Sequence, residues 1–145
     1  MDRKTKQRAY DRIRSDNAKA KKLCRQCKKV KSYKKCTRCR TCYFKFVASK
    51  YLGSADRWRE LESALLQSGH RCAYTGRKID LGEGASIEHV LPTSRGKKRE
   101  VNDLKNIKWV HRDINVMKGA HTVAEFIAIC KQILDNFGYE VRRDD

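Results

Sequence analysis

A chain of 145 residues with 35 Lys+Arg against 17 Asp+Glu carries a formal net charge of +18, a size that suits one compact domain with a small appendage. The charge is lopsided, with 19 of the basic side chains and only 3 of the acidic ones in residues 1–50; this points to a polyanion, nucleic acid first, because each Lys or Arg set on a phosphate releases condensed counterions. The absence of any apolar run of about 20 residues excludes a helical membrane span, and the N-terminus lacks a secretion signal's apolar core, so the seven cysteines are expected in a reducing cytoplasm, holding metal rather than forming disulfides.

Residues 1–20 are polar and basic, and Ala9, Tyr10 and Ile13 are too few to bury a face, which predicts a frayed helix or an arm. Five cysteines lie in residues 24–42. Tyr43–Tyr51, "YFKFVASKY", mixes aromatics with lysines and reads as a short helix or a linker. Ser54 is a candidate N-cap for a helix over 55–68, with Trp58, Leu61, Leu65 and Leu66 at helical spacing and Gly69 as its stop. Turn signals at Thr75-Gly76, Gly82 and Gly84 precede an apolar stretch around Ile87 and Val90, the pattern of a hairpin or of a strand entering a loop. Residues 94–103 form a basic loop, "IKWVH" (107–111) a strand, and 113–118 a short helix ended by Gly119. Thr122 and Glu125 then make a capping box for a last helix. Its apolar face, Phe126, Ile127, Cys130, Ile133, Leu134 and Phe137, is expected in the core, and Gly138 ends it.

Cys24-Arg-Gln-Cys27, eight residues, then Cys36-Thr-Arg-Cys39 give two CxxC knuckles, the spacing of a tetrahedral structural Zn²⁺ site. Cys39-Arg-Thr-Cys42 is a competing second pair; Cys36 with Cys39 makes the tighter hairpin and is preferred. So short a loop has no core of its own, so metal would supply its folding energy. Arg25, Lys28, Lys29, Lys34, Lys35, Arg38 and Arg40 coat this finger and are candidate DNA contacts.

A lone histidine is more often structural than catalytic, but His89 does not stand alone. Glu88-His89 ends a predicted strand, and Pro92, the only proline, stiffens the exit. Asn106 precedes the strand "IKWVH", and Asn115 and Lys118-Gly119 lie on the following short helix.

The text "CAYTG" (72–76), "IEHVLPTSRG" (87–96), "NDLKNIKWVHRDINVMKG" (102–119) and "TVAEFIAIC" (122–130) resembles the HNH (ββα-metal) nucleases, in particular the small phage and intron-encoded type with an upstream CxxC finger. The resemblance covers about residues 55–137. It implies an α+β chain: a basic arm (1–23), a zinc-ribbon-like finger and linker (24–50), and a ββα nuclease domain with flanking helices (51–145). It also implies a DNA endonuclease of a bacterial or phage-infected cell, working on duplex DNA, with a homodimer or a larger protein complex as its candidate assemblies. His89 would be the general base and Asn106 the brace of its loop. Glu88 and Asn115 would ligate one Mg²⁺ or Mn²⁺, with His111 either a further ligand or a strand-end histidine. Relatives carry Asp where Glu88 stands; the extra methylene moves the carboxylate by about 1.5 Å, so ligation is direct or through a water. Arg95, Lys97, Lys98 and Lys118 join the candidate DNA contacts. Many relatives carry a second zinc site, of which only Cys72 and His111 have counterparts here, so Cys72 and Cys130 are expected as buried core thiols. The alternative is a non-catalytic nucleic-acid-binding regulator on a degenerate scaffold of this type.

Overall fold

The computed structural model describes residues 3–32 and 36–140. Helix α1 (Arg3–Ala20) leads, with Tyr10 and Ile13 both exposed. Two isolated apolar side chains cannot bury a face, and the helix stands as a basic arm. The cysteine-rich segment follows, closed by a bridge between Leu23 and Lys31. Next come α2 (Arg40–Tyr51), a 3₁₀ turn (Ala55–Arg57) and α3 (Trp58–Gln67). Ser54 does cap this unit, accepting from the Asp56 N–H at 3.2 Å, but its first turn is the tighter 3₁₀ form.

Strand β1 (Ala85–His89) is joined through the short helix α4 (Lys98–Val101) and a second 3₁₀ turn (Leu104–Asn106) to β2 (Ile107–His111). Helix α5 (Arg112–Lys118) follows β2 directly, and α6 (Val123–Asn136) completes the described chain. The fold is therefore α+β: helices around a two-stranded antiparallel sheet. Register sets Ala85 opposite His111, Ile87 opposite Trp109 and His89 opposite Ile107. Gly96 permits the intervening connection to close, since a Cβ there would sit 2.7 Å from the Leu91 side chain and 2.8 Å from that of Val101.

One core joins α2, α3 and the sheet, built from Phe44, Val47, Leu61, Leu65, Ile79, Leu81, Ile87, Trp109 and Val110. Trp109 donates its indole N–H to the Leu61 carbonyl at 3.0 Å and meets the Phe44 ring edge-on at 6.0 Å. Across the same junction Arg40 Nε reaches Glu62 Oε1 at 2.6 Å. The expected division at residue 50/51 thus falls inside α2, a helix whose buried face belongs to the same core as the sheet. Phe44 is fully buried, so Phe44→Ala is expected to cost about 3–5 kcal/mol of unfolding free energy, read by urea denaturation at constant m. A loss below about 1 kcal/mol would show that α2 is not integral to the core.

Helix α6 has the ends its sequence implied. Thr122 Oγ1 accepts from the Glu125 N–H (3.3 Å), Glu125 accepts from the Thr122 N–H (2.8 Å), and Gly138 takes φ +76° after the last turn. Its expected core face is a correction: Ile127, Ile133, Leu134 and Phe137 are exposed, and Phe126 and Cys130 are half-buried. Leu66 of α3 is exposed likewise. Amphipathic spacing fixes which side of a helix is apolar but not whether the same chain covers it. Among the described residues, no helix is long and apolar enough to cross a membrane.

Candidate metal centre and candidate active site

Four sulfurs, those of Cys24, Cys27, Cys39 and Cys42, lie within 4.8 Å of one another. They could hold a structural metal such as Zn²⁺, for which a tetrahedron of thiolates is the preferred set. Cys36, expected as a ligand, is outside this cluster; Cys42 takes its place. The local fold supplies the reason. Cys39 is the N-cap of α2, and Cys42 sits three residues on, in the first turn, where i and i+3 share a face. The centre therefore combines one knuckle with one helical turn, rather than the two knuckles of a zinc ribbon. The knuckle closes with the Lys28 N–H donating to the Cys24 carbonyl at 2.9 Å, and Lys28 takes φ +59°. Burial raises the Cys24 thiol, but backbone donors at Cys27, Cys39 and Gln26 outweigh it and bring the group to about 6. Burial and then the sulfurs of Cys39, Cys24 and Cys27 push Cys42 up to about 12. Four sulfurs this close cannot all ionise by themselves; a divalent cation removes the conflict.

The second site lies where β1 ends. A cavity of about 300 Å³ is lined by Tyr51, Glu88, His89, Pro92, Ser94 and Asn115, among others. His89 stacks on Tyr51, ring centroids 5.2 Å apart and planes 30° apart, and its Nε2 is buried with no hydrogen-bond partner. Burial lowers the His89 pKa below its ordinary value; Glu88 opposes that, and Lys118 and Lys50 add to it. A ring held neutral is one able to accept a proton.

Asn106 grips the loop that leaves His89. Its side-chain oxygen accepts from the Leu91 N–H at 2.6 Å, and its Nδ2 donates to the Leu91 and Val101 carbonyls at 3.1 and 3.2 Å. The backbone adds Val90 N–H to the Asn106 carbonyl at 2.9 Å. A single amide thus satisfies both sides of one residue's backbone, which fixes the path into the buried Pro92. Asn115 spends its Nδ2 on Ser86 Oγ (2.8 Å) and the Ile87 carbonyl (2.9 Å). Both donors are committed, and Asn115 lines the cavity.

Glu88 is buried, at 3 % exposure. Tyr74 donates its hydroxyl to Oε2 at 2.6 Å, and Lys118 Nζ lies 2.6 Å from Oε1. Burial and the bond to Glu88 raise the Tyr74 phenol well above its usual range, so it stays a donor. Lys118 was expected on the DNA surface; it is fully buried, and its Nζ also donates to the His89 carbonyl at 3.3 Å. Lysine is rarely buried unless paired, and Glu88 is the pair. Glu88 and Asn115 both line the one cavity, and the Glu88 carboxylate is already paired with one positive charge.

His111 is not brought to this cavity. It pairs opposite Ala85, at the far end of the ladder from His89, four residues away or roughly 13 Å along a strand. There its Nδ1 accepts from the Asp113 N–H at 3.3 Å, capping α5, and its Nε2 lies where a Cβ on Gly84 would approach to 2.6 Å. Cys72 is buried as expected, at 3 % exposure. Burial raises its thiol, but the Thr75 hydroxyl and the backbones of His111, Tyr74 and Thr75 outweigh that and lower it. Cys130 is only half-buried.

Of the candidate DNA contacts, Arg25, Lys29, Lys97 and Lys98 are exposed, and Lys28 is half-buried. Arg38 lies 4.1 Å over the Phe46 ring, Arg40 is held by Glu62, and Arg95 is paired with Glu125 at 2.7 Å. Lys34 and Lys35 lie outside the described residues. The sequence reading missed Tyr51 and Tyr74, which reach the site from other elements and left no local signal. For Lys118 a signal existed: three residues after Asn115 on a helix, it shares that residue's face. No family model matches the chain, and no curated protein matches it at a significant level.

Proposed function

We propose that the chain is a metal-dependent endonuclease of the HNH (ββα-metal) type that hydrolyses DNA phosphodiester bonds. The observation that carries this reading is that one cavity, at the end of a β–β–α unit, is lined by a neutral-leaning His89 with an unpartnered Nε2, by Asn115 and by Glu88. His89 takes the proton from the attacking water on its unpartnered Nε2, the ring being held by a bond to the Tyr51 backbone. Asn106 keeps the His89 loop in place, Tyr51 fixes the ring plane, and Tyr74 orients Glu88. A Mg²⁺ or Mn²⁺ held by Glu88 and Asn115 would supply the charge that polarises the phosphoryl oxygen and stabilises the departing 3′-oxygen. The finger and α1 grip the backbone of duplex DNA, with Arg25, Lys28 and Lys29 on the cysteine-rich segment and Lys97 and Lys98 on the β1–β2 connection. One such site breaks one strand, so a double-strand cut calls for two copies or sequential nicks.

A second reading has one observation in its favour. Both Glu88 oxygens have protein partners, as they would in a scaffold that binds nucleic acid without cutting it. Incubation of supercoiled plasmid with protein and Mg²⁺ or Mn²⁺, against an EDTA control, separates the two. Cation-dependent conversion to open-circular or linear DNA is expected. Plasmid shifted on a gel but left uncut under all cations would favour the regulator.

A further inference from the structure

We infer that Lys118 is a built-in competitor of the catalytic cation: its ammonium occupies the charge position at Glu88, and a divalent ion enters only by displacing it. This rests on the endonuclease reading and specifies how its metal site is regulated. Lys118 Nζ is 2.6 Å from Glu88 Oε1, within the reach a ligating cation would need, and both side chains are removed from solvent. Lys118 is one helical turn from Asn115 on α5, so the displaced ammonium and the second oxygen ligand are carried by the same short element. A monovalent ammonium and a divalent ion cannot share one buried carboxylate oxygen without strong repulsion. Tyr74 occupies the other oxygen at 2.6 Å as a neutral donor, and it imposes no such conflict. Removal of Lys118 therefore leaves the carboxylate oriented but uncompensated, a site primed for a metal. The arrangement keeps the cavity inert at low cation concentration without disordering it.

Mn²⁺ binding followed by electron paramagnetic resonance, with the full chain and its zinc retained, tests this on wild type and Lys118→Met. The variant is expected to bind Mn²⁺ at least about tenfold more tightly, equivalent to one decade of Kd. Without cation it should melt roughly 10 °C lower, the effect of stranding a buried charge, and Mn²⁺ should restore more of its Tm than it adds to wild type. Equal or weaker Mn²⁺ affinity in Lys118→Met, with wild type binding, overturns the competition while leaving the nuclease reading intact. No binding to either protein overturns both. Should the variant not fold, nuclear magnetic resonance of the wild-type lysine ammonium groups decides. The buried Lys118 signal is expected to vanish on Mg²⁺ titration in step with shifts at Asn115; its persistence through those shifts overturns the inference.

Discussion

Replacing His89 with alanine is expected to reduce DNA cleavage at least about 100-fold while leaving DNA affinity and folding essentially unchanged. The size follows from the chemistry, since loss of a general base costs about 10²–10⁴ in rate. The selectivity follows from the structure. The His89 side chain has an Nε2 with no partner, rests on the Tyr51 ring and meets the Tyr51 backbone, so its removal breaks no ion pair and costs a single bond to the backbone. The loop it stands on is held by Asn106 through bonds to Leu91 and Val101 that His89 does not share. Single-turnover cleavage, a gel-shift titration and a melting curve on the same preparation give the three readouts. Retention of more than about a tenth of the wild-type rate would remove His89 from the reaction. A drop in Tm that tracks the lost rate would make it a structural residue.

The parts of the fold legible in the sequence were those written in local chemistry. The strand "IKWVH", the Gly119 stop and the Thr122–Glu125 capping box each depend on residues within one or two turns. What escaped was decided over distance. The apolar stripe of α6 is real, but burial requires an opposing surface, and no periodicity reports whether one exists. "YFKFVASKY" looked equally like a linker because its helix is fixed by Phe44 meeting Trp109, 65 positions further along the chain. At the candidate site the pattern runs the same way. His89, Asn106 and Asn115 were singled out through the resemblance; His89 and Asn115 line one cavity, and Asn106 braces the loop between them. The role of Tyr74 could not be read from the text, because it reaches Glu88 from another element; Lys118 shares the helix face of Asn115, a signal outweighed because a positive charge reads as surface until a buried carboxylate is found beneath it.

Cys42→Ser is expected to strip zinc from the finger, whereas Cys36→Ser is expected to keep about one zinc per chain by elemental analysis. The sequence alone preferred the reverse, and the geometry decides it. Cys39 and Cys42 present their sulfurs from the N-cap and first turn of α2, within 4.8 Å of Cys24 and Cys27, and Cys36 is outside that group. Structural zinc in peptides of this size contributes on the order of 10–16 kcal/mol at neutral pH, so losing one of four thiolates should cost far more than an ordinary surface change. The damage should also travel. Cys39 and Cys42 anchor the start of the helix that delivers Phe44, Val47 and Ala48 to the shared core. Cys42→Ser should therefore lower the Tm of the whole protein, and a strong chelator should lower wild type to a similar value. Cys36→Ser should melt like wild type with or without that chelator. Full zinc in Cys42→Ser together with its loss in Cys36→Ser would reinstate the tighter hairpin and require α2 to begin later than Arg40. Loss in both would mean that the overlapping pairs share the metal between two registers of the same helix start.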